Sequence, residues 1–242
     1  MTTTWPLTAA TCLALALAAC AGTTSASQDT VSSTGDSQTA TDATTSNDVA
    51  ASESFVCTQV MGLSVTGEWY AGGFETAVPD GHWQAITLSH AYVDLWADPT
   101  NTVWTTPVTS PCTVNPGNPD RVLFTGCNWE YTTEAEWTTA LTTVVTNLTA
   151  KYPALKRIEL LTMLRAPGNQ SCPDALNKET IVAPYIDTAI AKVVAAHPEL
   201  VIAAPKFEAP NCEVFILGGP HFTPDGQAEV AKVYSAHYAS KP

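Results

Sequence analysis

The sequence reads Val56-Cys57-Thr58-Gln59-Val60-Met61-Gly62-Leu63-Ser64-Val65-Thr66 at the stretch from which the rest of the fold can be worked out. A short apolar run that stops at a glycine is typical of a buried strand. A serine just past such a strand lies at the carboxyl edge of a sheet, where open α/β folds bind their ligands. The alternative is that Ser64 only caps the next helical segment, a common role for serine.

A second stretch, Gly219-Pro220-His221-Phe222-Thr223-Pro224-Asp225-Gly226, begins the last helix of the chain. Thr223 is a good N-cap residue, and Pro224 fits the first helical turn. His221 comes just before the cap, so a rigid element holds it in place. A serine that follows the first strand and a histidine that precedes the last helix are therefore expected to meet at one edge of the sheet.

Between these two stretches, strand and helix patterns alternate. Apolar runs predict strands near 56–62, 83–88, 121–125, 157–164 and 200–204. Helices are predicted behind the capping box Thr133–Glu136, from Pro184 and from Pro224, and a long loop over 97–119. This alternation predicts an α/β fold, a three-layer sandwich with a central parallel sheet of about five strands.

In order and context these motifs resemble those of the SGNH (GDSL-type) hydrolase family. There the nucleophilic serine follows the first strand in Gly-Asp-Ser, which Gly62-Leu63-Ser64 matches in part. The base histidine stands in a pattern like His-x-Thr-Pro-x-Gly, matched by residues 221–226, and Gly126-Cys127-Asn128-Trp129 resembles the family's Gly-x-Asn-Asp. The resemblance covers roughly residues 55–242 and implies a flavodoxin-like SGNH hydrolase fold.

The resemblance implies a role for each matched residue. Ser64 would be the nucleophile and His221 its base, because a serine hydroxyl is a poor nucleophile until a base takes its proton. The oxyanion would be stabilised by the backbone N–H of Ser64 and by the side chain of Asn128. The family's second block supplies a glycine N–H, and here the N–H of Ala91 stands nearest to that position.

Two of these positions also have plainer interpretations. Asn128 could be a turn residue that follows a strand. His90, next to Ala91, could contact substrate or could be a buried structural histidine.

The sequence departs from the family at three aspartates. Leu63 and Trp129 replace two of them, and Gly218 stands where the acid partner of the histidine is found in the family. Glu208 and Glu213 are the candidate acids in the loop before His221, and a backbone carbonyl, giving a Ser–His dyad, is equally tenable. Asp225 instead complements the dipole of the last helix.

The amino terminus predicts export. Residues 1–19 resemble a lipoprotein signal peptide, and Leu17-Ala18-Ala19-Cys20 resembles the bacterial lipobox, in which Cys20 is lipidated. Residues 20–54 form a Ser/Thr/Asp-rich segment expected to be a disordered tether, followed by the SGNH hydrolase-like domain over 55–242. The expected location is the bacterial cell envelope, with a lipid anchor in the outer membrane or at the cell surface.

Export makes disulfides plausible, and the chain has 7 cysteines. Cys172 and Cys212 are expected to pair, while Cys112 could pair with Cys127 or with Cys57. No cysteine or histidine cluster has zinc spacing, so neither a metal nor another cofactor is expected. The net charge of −13 without a basic cluster argues against nucleic acid as a partner. The protein is expected to be a monomer.

The leading hypothesis is an exported serine esterase that acts on an acyl or O-acetyl ester, including esters of carbohydrates. The first rival is a non-catalytic envelope protein that binds a glycan or acyl ligand on the same fold, because fold does not imply function. The second rival is a structural envelope lipoprotein.

Overall fold

The computed structural model describes residues 54–128, 130–162, 184–216 and 221–239. The chain divides into two compact units, and all of these residues belong to the second, Val49–Pro242. The described part contains a five-stranded parallel sheet in the order β2-β1-β3-β4-β5. Its strands are β1 Thr58–Leu63, β2 Trp83–Leu88, β3 Arg121–Thr125, β4 Arg157–Leu161 and β5 Val201–Ala203.

Six α-helical segments accompany the described strands: α1 Ser64–Trp69, α2 Glu75–Ala77, α3 Val93–Ala97, α4 Glu134–Lys151, α5 Pro184–Ala196 and α6 Pro224–Tyr238. A π-helical turn, Tyr70–Phe74, joins α1 to α2. The predicted loop over 97–119 contains a short 3₁₀ helix, Thr102–Thr105. A second 3₁₀ helix, Cys212–Val214, precedes α6.

The side chains of the strands alternate between two apolar layers. On one face, residues such as Val60 and Leu123 pack with α1 and α6. On the other face, residues such as Met61 and Phe124 pack with α3, α4 and α5. Because helices cover both faces, the strands are buried on both sides. Buried polar side chains of the strands are paired with one another, as in the hydrogen bonds from Gln84 to Gln59 and from Arg121 to Thr58. The predicted three-layer α/β fold with a parallel sheet of five strands is confirmed.

Strand order determines which chain segments share the carboxyl edge. β1 lies between β2 and β3, with Leu63 paired with Leu88 and Met61 paired with Phe124. From β1 the chain adds β2 on one side and then crosses back to add β3 on the other, so the switch point at which such sheets bind ligands lies at the carboxyl ends of β1 and β3. Ser64, the loop after β2 and Asn128 after β3 therefore lie at the same edge.

At the amino-terminal end of the sheet, Asp120 is hydrogen-bonded to the segments that precede β1 and β4. Its carboxylate accepts hydrogen bonds from the N–H groups of Val56 at 3.0 Å and Cys57 at 2.9 Å, and from Lys156 Nζ at 3.2 Å. Burial by itself raises the pKa of this carboxyl. The N–H groups of Cys57 and Val56 and the Lys156 ammonium outweigh burial, so the pKa of Asp120 lies below its ordinary value.

We expect Asp120→Asn to destabilise the fold at neutral pH and to have a smaller effect in acid. A carboxyl whose pKa is depressed by folding stabilises the protein above its unfolded-state pKa of about 4, and that contribution is lost as the pH falls through the folded-state value. At pH 7 the free energy of unfolding should fall by about 1–3 kcal/mol, since hydrogen bonds to a charged carboxylate are replaced by hydrogen bonds to a neutral amide. Urea unfolding of both proteins between pH 7 and pH 3 tests this. A difference independent of pH would contradict it.

Cys57 is disulfide-bonded to Cys112, which decides between the two pairings left open by the sequence: Cys112 does not pair with Cys127. The bond ties the residue before β1 to the loop that precedes β3. Cys212 is also disulfide-bonded. The Cys172 to which the sequence assigned it lies outside the described residues, so that pairing stays a prediction.

Removing the Cys57–Cys112 bridge should lower stability substantially. The two cysteines are 55 residues apart, and a cross-link over a loop of that length restricts the unfolded chain by about 4 kcal/mol in the chain-entropy model. We expect the double variant Cys57→Ser/Cys112→Ser to show a clearly lower free energy of unfolding in guanidinium titrations. An unchanged unfolding midpoint would show that the bridge does not constrain the unfolded chain.

None of the helices within residues 54–239 that the structure describes is long and apolar enough to cross a membrane. The predicted signal peptide, the lipidation site Cys20 and the tether up to residue 53 lie outside the described residues.

Candidate active site

Ser64 is the first residue of α1, directly after β1, and is half-buried. The first N–H groups of a helix have no partner inside the helix, so the Ser64 N–H is among the unpaired donors at this end. The turn before it is tight. A Cβ on Gly62 would lie 2.5 Å from Thr66 Oγ1 and 3.1 Å from the Thr125 carbonyl oxygen. Only glycine fits where β1 passes into α1.

His221 is held by the predicted start of α6. Thr223 caps the helix by accepting a hydrogen bond from the Gly226 N–H at 3.1 Å, and Pro224 occupies the first turn, as expected. Before the cap, the Ile216 N–H donates to the His221 carbonyl at 2.8 Å. The backbone of His221 is thus fixed on both sides. Its side chain is 43% exposed, so the imidazole can be reached from solvent.

Glu68 is the carboxylate that holds the His221 ring. Its Oε1 lies 2.5 Å from His221 Nδ1, and its Oε2 accepts the Phe222 N–H at 2.9 Å. The two bonds fix the carboxylate and orient the imidazole, with Nε2 on the far side of the ring. Glu208 and Glu213, the acids proposed from the sequence, are both exposed, and the carboxylate that contacts His221 Nδ1 is Glu68 from α1.

Sequence reasoning missed Glu68 because it searched the loop before the histidine, where the related family has its acid. The available signal was spacing within α1. Glu68 follows Ser64 by four residues, and residues four apart lie on the same face of a helix. A histidine placed over that face can contact the acid, with the serine one turn away.

Ser64 Oγ forms no hydrogen bond with His221 or with any other described residue. The structure brings Ser64, Glu68 and His221 to one edge, but it joins only the last two by a hydrogen bond. Catalytic hydrogen bonds are often long or poorly aligned until substrate binds. The catalytic roles of Ser64 and His221 stay predictions.

Asn128 lies at the same edge, after β3, and is buried. Its Nδ2 donates to Asp94 Oδ1 at 3.0 Å, and its Oδ1 accepts the Glu130 N–H at 2.9 Å. Asp94 thereby fixes which way the amide points. An amide nitrogen carries two hydrogens, so one remains for an oxygen of a substrate. This geometry is compatible with the predicted oxyanion donor and equally with a turn residue.

The loop after β2 carries Ala91, the third predicted oxyanion donor. The Ala91 N–H points back at the Leu88 carbonyl over a long 3.4 Å contact, and Ala91 itself is buried. The neighbouring His90 is exposed, so the idea of a buried structural histidine was wrong.

A groove of about 680 Å³ opens between α3 and the start of α4. Its lining includes Asp94, which also holds Asn128, together with Tyr131 and Glu136. Burial, together with the charges of Asp94 and Glu136, raises the pKa of the Tyr131 phenol, which stays protonated and can donate a hydrogen bond. Among the residues described, no three His, Cys, Asp or Glu side chains are grouped so that they could hold a metal ion.

No protein-family model matches the sequence, and no curated protein does either. Among solved structures, a carbohydrate esterase family 3 protein from Talaromyces cellulolyticus is similar, with 13% identity and a TM-score of 0.49 over 76% of this chain and 97% of that one. A protein from Lactobacillus plantarum is similar with 12% identity and a TM-score of 0.46, over 78% of this chain and 98% of that one. An active-site mutant of a family two carbohydrate esterase from Clostridium thermocellum is similar with 9% identity and a TM-score of 0.47, over 78% of this chain and 65% of that one. All three TM-scores lie below 0.5.

Proposed function

We propose that this protein is a serine esterase with a Ser64–His221–Glu68 triad. The observation that carries the proposal is the contact of 2.5 Å between His221 Nδ1 and Glu68 Oε1, one helical turn from Ser64 at the switch point of the sheet. An acid on Nδ1 fixes the tautomer in which Nε2 can take a proton, which is the task of the third group in a serine triad.

In the first half of the reaction, Ser64 Oγ attacks the ester carbonyl carbon while His221 Nε2 takes the hydroxyl proton. The carbonyl oxygen becomes an oxyanion, for which the Ser64 N–H and the second Asn128 amide hydrogen are the proposed donors. The ester C–O bond then breaks. The alcohol leaves with the proton from His221, and the acyl group remains on Ser64.

In the second half, a water molecule loses a proton to His221 Nε2 and attacks the acyl carbon. The bond to Ser64 Oγ breaks, His221 returns the proton to Ser64, and a carboxylic acid is released. Throughout, Glu68 accepts the Nδ1–H and stabilises the imidazolium that forms twice in each cycle.

The proposed substrate is an acyl or O-acetyl ester, with a carbohydrate as the alcohol. The groove beside Asn128 supports this choice, because carboxylates such as Asp94 and Glu136 accept hydrogen bonds from hydroxyl groups. Tyr131 adds an aromatic face. The proposal includes export and a lipid anchor on Cys20, which predicts that Cys20→Ala releases the protein from membranes.

The test is labelling of the full-length protein with a fluorophosphonate, which forms a bond to an activated serine. We expect labelling of the wild type, none of Ser64→Ala, and at least a ~100-fold lower rate for His221→Ala, in line with the loss of a general base. The control is Ser110→Ala, which removes an exposed serine in the loop before β3. No labelling of the folded wild type would overturn the esterase assignment.

The second candidate is a binding protein without catalysis. The absence of a hydrogen bond between Ser64 Oγ and any described residue favours it, as does Leu63 in place of the family's aspartate. It predicts a folded wild type that is never labelled and that binds glycans through the groove containing Asp94 and Tyr131.

A further inference from the structure

His90 has an unusual backbone conformation at the carboxyl edge. Its φ is +60°, in the left-handed region that side chains other than glycine rarely adopt. Two other non-glycine residues in the described part have positive φ, and both lie in the loop before β3. Such conformations persist only where the surrounding structure imposes them, and they cluster at functional sites.

The position of His90 follows from the register of the sheet. Leu88 at the end of β2 pairs with Leu63 at the end of β1. His90 is two residues past Leu88, and Ser64 is one residue past Leu63. Both residues therefore emerge from adjacent strand ends, and the His90 side chain is exposed there.

The N–H groups that follow His90 are already used inside the protein. Ala91 N–H points to the Leu88 carbonyl at 3.4 Å, and Tyr92 N–H donates to the His90 carbonyl at 2.9 Å. Val93 N–H donates to the Cys127 carbonyl at 2.8 Å. The N–H groups of Tyr92 and Val93 are thus not offered to a substrate oxygen, and that of Ala91 is turned toward the Leu88 carbonyl.

The side chain of His90 is instead prepared as a donor. Ser89 Oγ lies 2.8 Å from His90 Nδ1. A serine hydroxyl can donate to this nitrogen or accept from it, and in the tautomer in which it donates, the ring carries its hydrogen on Nε2. The Tyr92 ring stands edge-on to the imidazole at a centroid distance of 6.2 Å.

We infer that His90 is a catalytic residue that donates from Nε2 to the oxyanion of the ester in place of a backbone N–H of this loop. This rests on the proposed function, because it assigns a partner to the intermediate formed on Ser64. The side chain is exposed at the strand end, and the Ser89 hydroxyl on Nδ1 is compatible with the tautomer that carries a hydrogen on Nε2. In this proposal the loop after β2 stabilises the oxyanion with a side-chain donor instead of a backbone N–H.

The experiment measures kcat and KM for 4-nitrophenyl acetate, and the fluorophosphonate labelling rate, in four full-length variants. His90→Phe keeps a ring without the donor and should lower kcat and the labelling rate about 100-fold, the usual effect of removing one oxyanion donor. His90→Gln keeps an N–H donor and should recover part of that loss. Ser89→Ala should lower kcat less, because it only releases the tautomer.

The fourth variant, His90→Gly, removes the imidazole but allows the same backbone conformation, so it separates the effect of the side chain from that of the backbone. Glycine suits a φ of +60°, so the fold should be kept while kcat falls as far as in His90→Phe. Wild-type kcat in His90→Gly or His90→Phe, beside a wild type labelled at Ser64, would overturn the role of His90 and leave the esterase intact. A wild type that is not labelled would overturn both.

Discussion

Glu68→Gln should lower kcat for ester hydrolysis by about 10²–10⁴-fold while the protein remains folded, since loss of the acid in a serine triad has an effect of about 10⁴ at the upper end. The carboxylate lies 2.5 Å from His221 Nδ1 and also accepts the Phe222 N–H. Glutamine keeps the size of the side chain but removes the charge that stabilises the imidazolium, and its amide can hold the wrong tautomer. The measurement is kcat and KM for 4-nitrophenyl acetate.

The matched control is Glu213→Gln, which makes the same change at an exposed acid in the loop before α6. It should leave kcat within about threefold, because surface substitutions away from a site have small effects. If Glu68→Gln keeps wild-type kcat while His221→Ala does not, the enzyme uses a Ser–His dyad. The Glu68 contact would then serve only to hold the loop before α6.

Gly226→Ala should be the most damaging single-carbon change among the described glycines. A Cβ at this position would overlap the Val214 carbonyl oxygen and would lie 2.9 Å from the Val214 carbonyl carbon. These are backbone atoms that cannot rotate away, so α6 or the 3₁₀ helix before it must shift. Overpacking costs about 1–3 kcal/mol, and the shift would also displace His221 from Glu68. Thermal unfolding and the labelling rate of Ser64 should fall together.

Helix propensity alone predicts that Gly226→Ala stabilises the protein, because alanine is more favourable than glycine inside a helix by about 1 kcal/mol. The control is Ala228→Gly at an exposed position two residues further along α6. It should cost no more than about 1 kcal/mol and leave labelling unchanged. A Gly226→Ala protein that is more stable than the wild type would show that α6 does not pack against Val214 as described.

The strands illustrate why the fold could be predicted from the sequence. β2 and β3 occupy the predicted positions, Trp83–Leu88 and Arg121–Thr125. A strand covered on both faces by helices is mostly apolar, and the runs Ala85–Ile86 and Val122–Phe124 leave that local signal in the sequence despite the buried Gln84 and Arg121. The capping box at Thr133 and Glu136 is equally local and is present with both hydrogen bonds. The order of the strands required the structure.

The pairing of cysteines had no comparable signal. Cys57 and Cys112 are separated by 55 residues, and nothing in the residues around Cys112 distinguishes Cys57 from Cys127. The pairing depends on which loop returns to the start of β1, which is a property of the assembled sheet. The conformation of His90 could not be predicted from the sequence either, because a left-handed φ at a non-glycine residue has no sequence signature.

The sequence by itself determined the α/β architecture, the turn at Gly62 and the capped helix that carries His221, because each depends on residues close together in the chain. Only the tertiary structure decided which acid holds the histidine. Glu68 and His221 are 153 residues apart, and they meet because α1 and α6 pack on the same face of the sheet. A charged contact between two such distant residues depends on how the helices are placed, which no local pattern records.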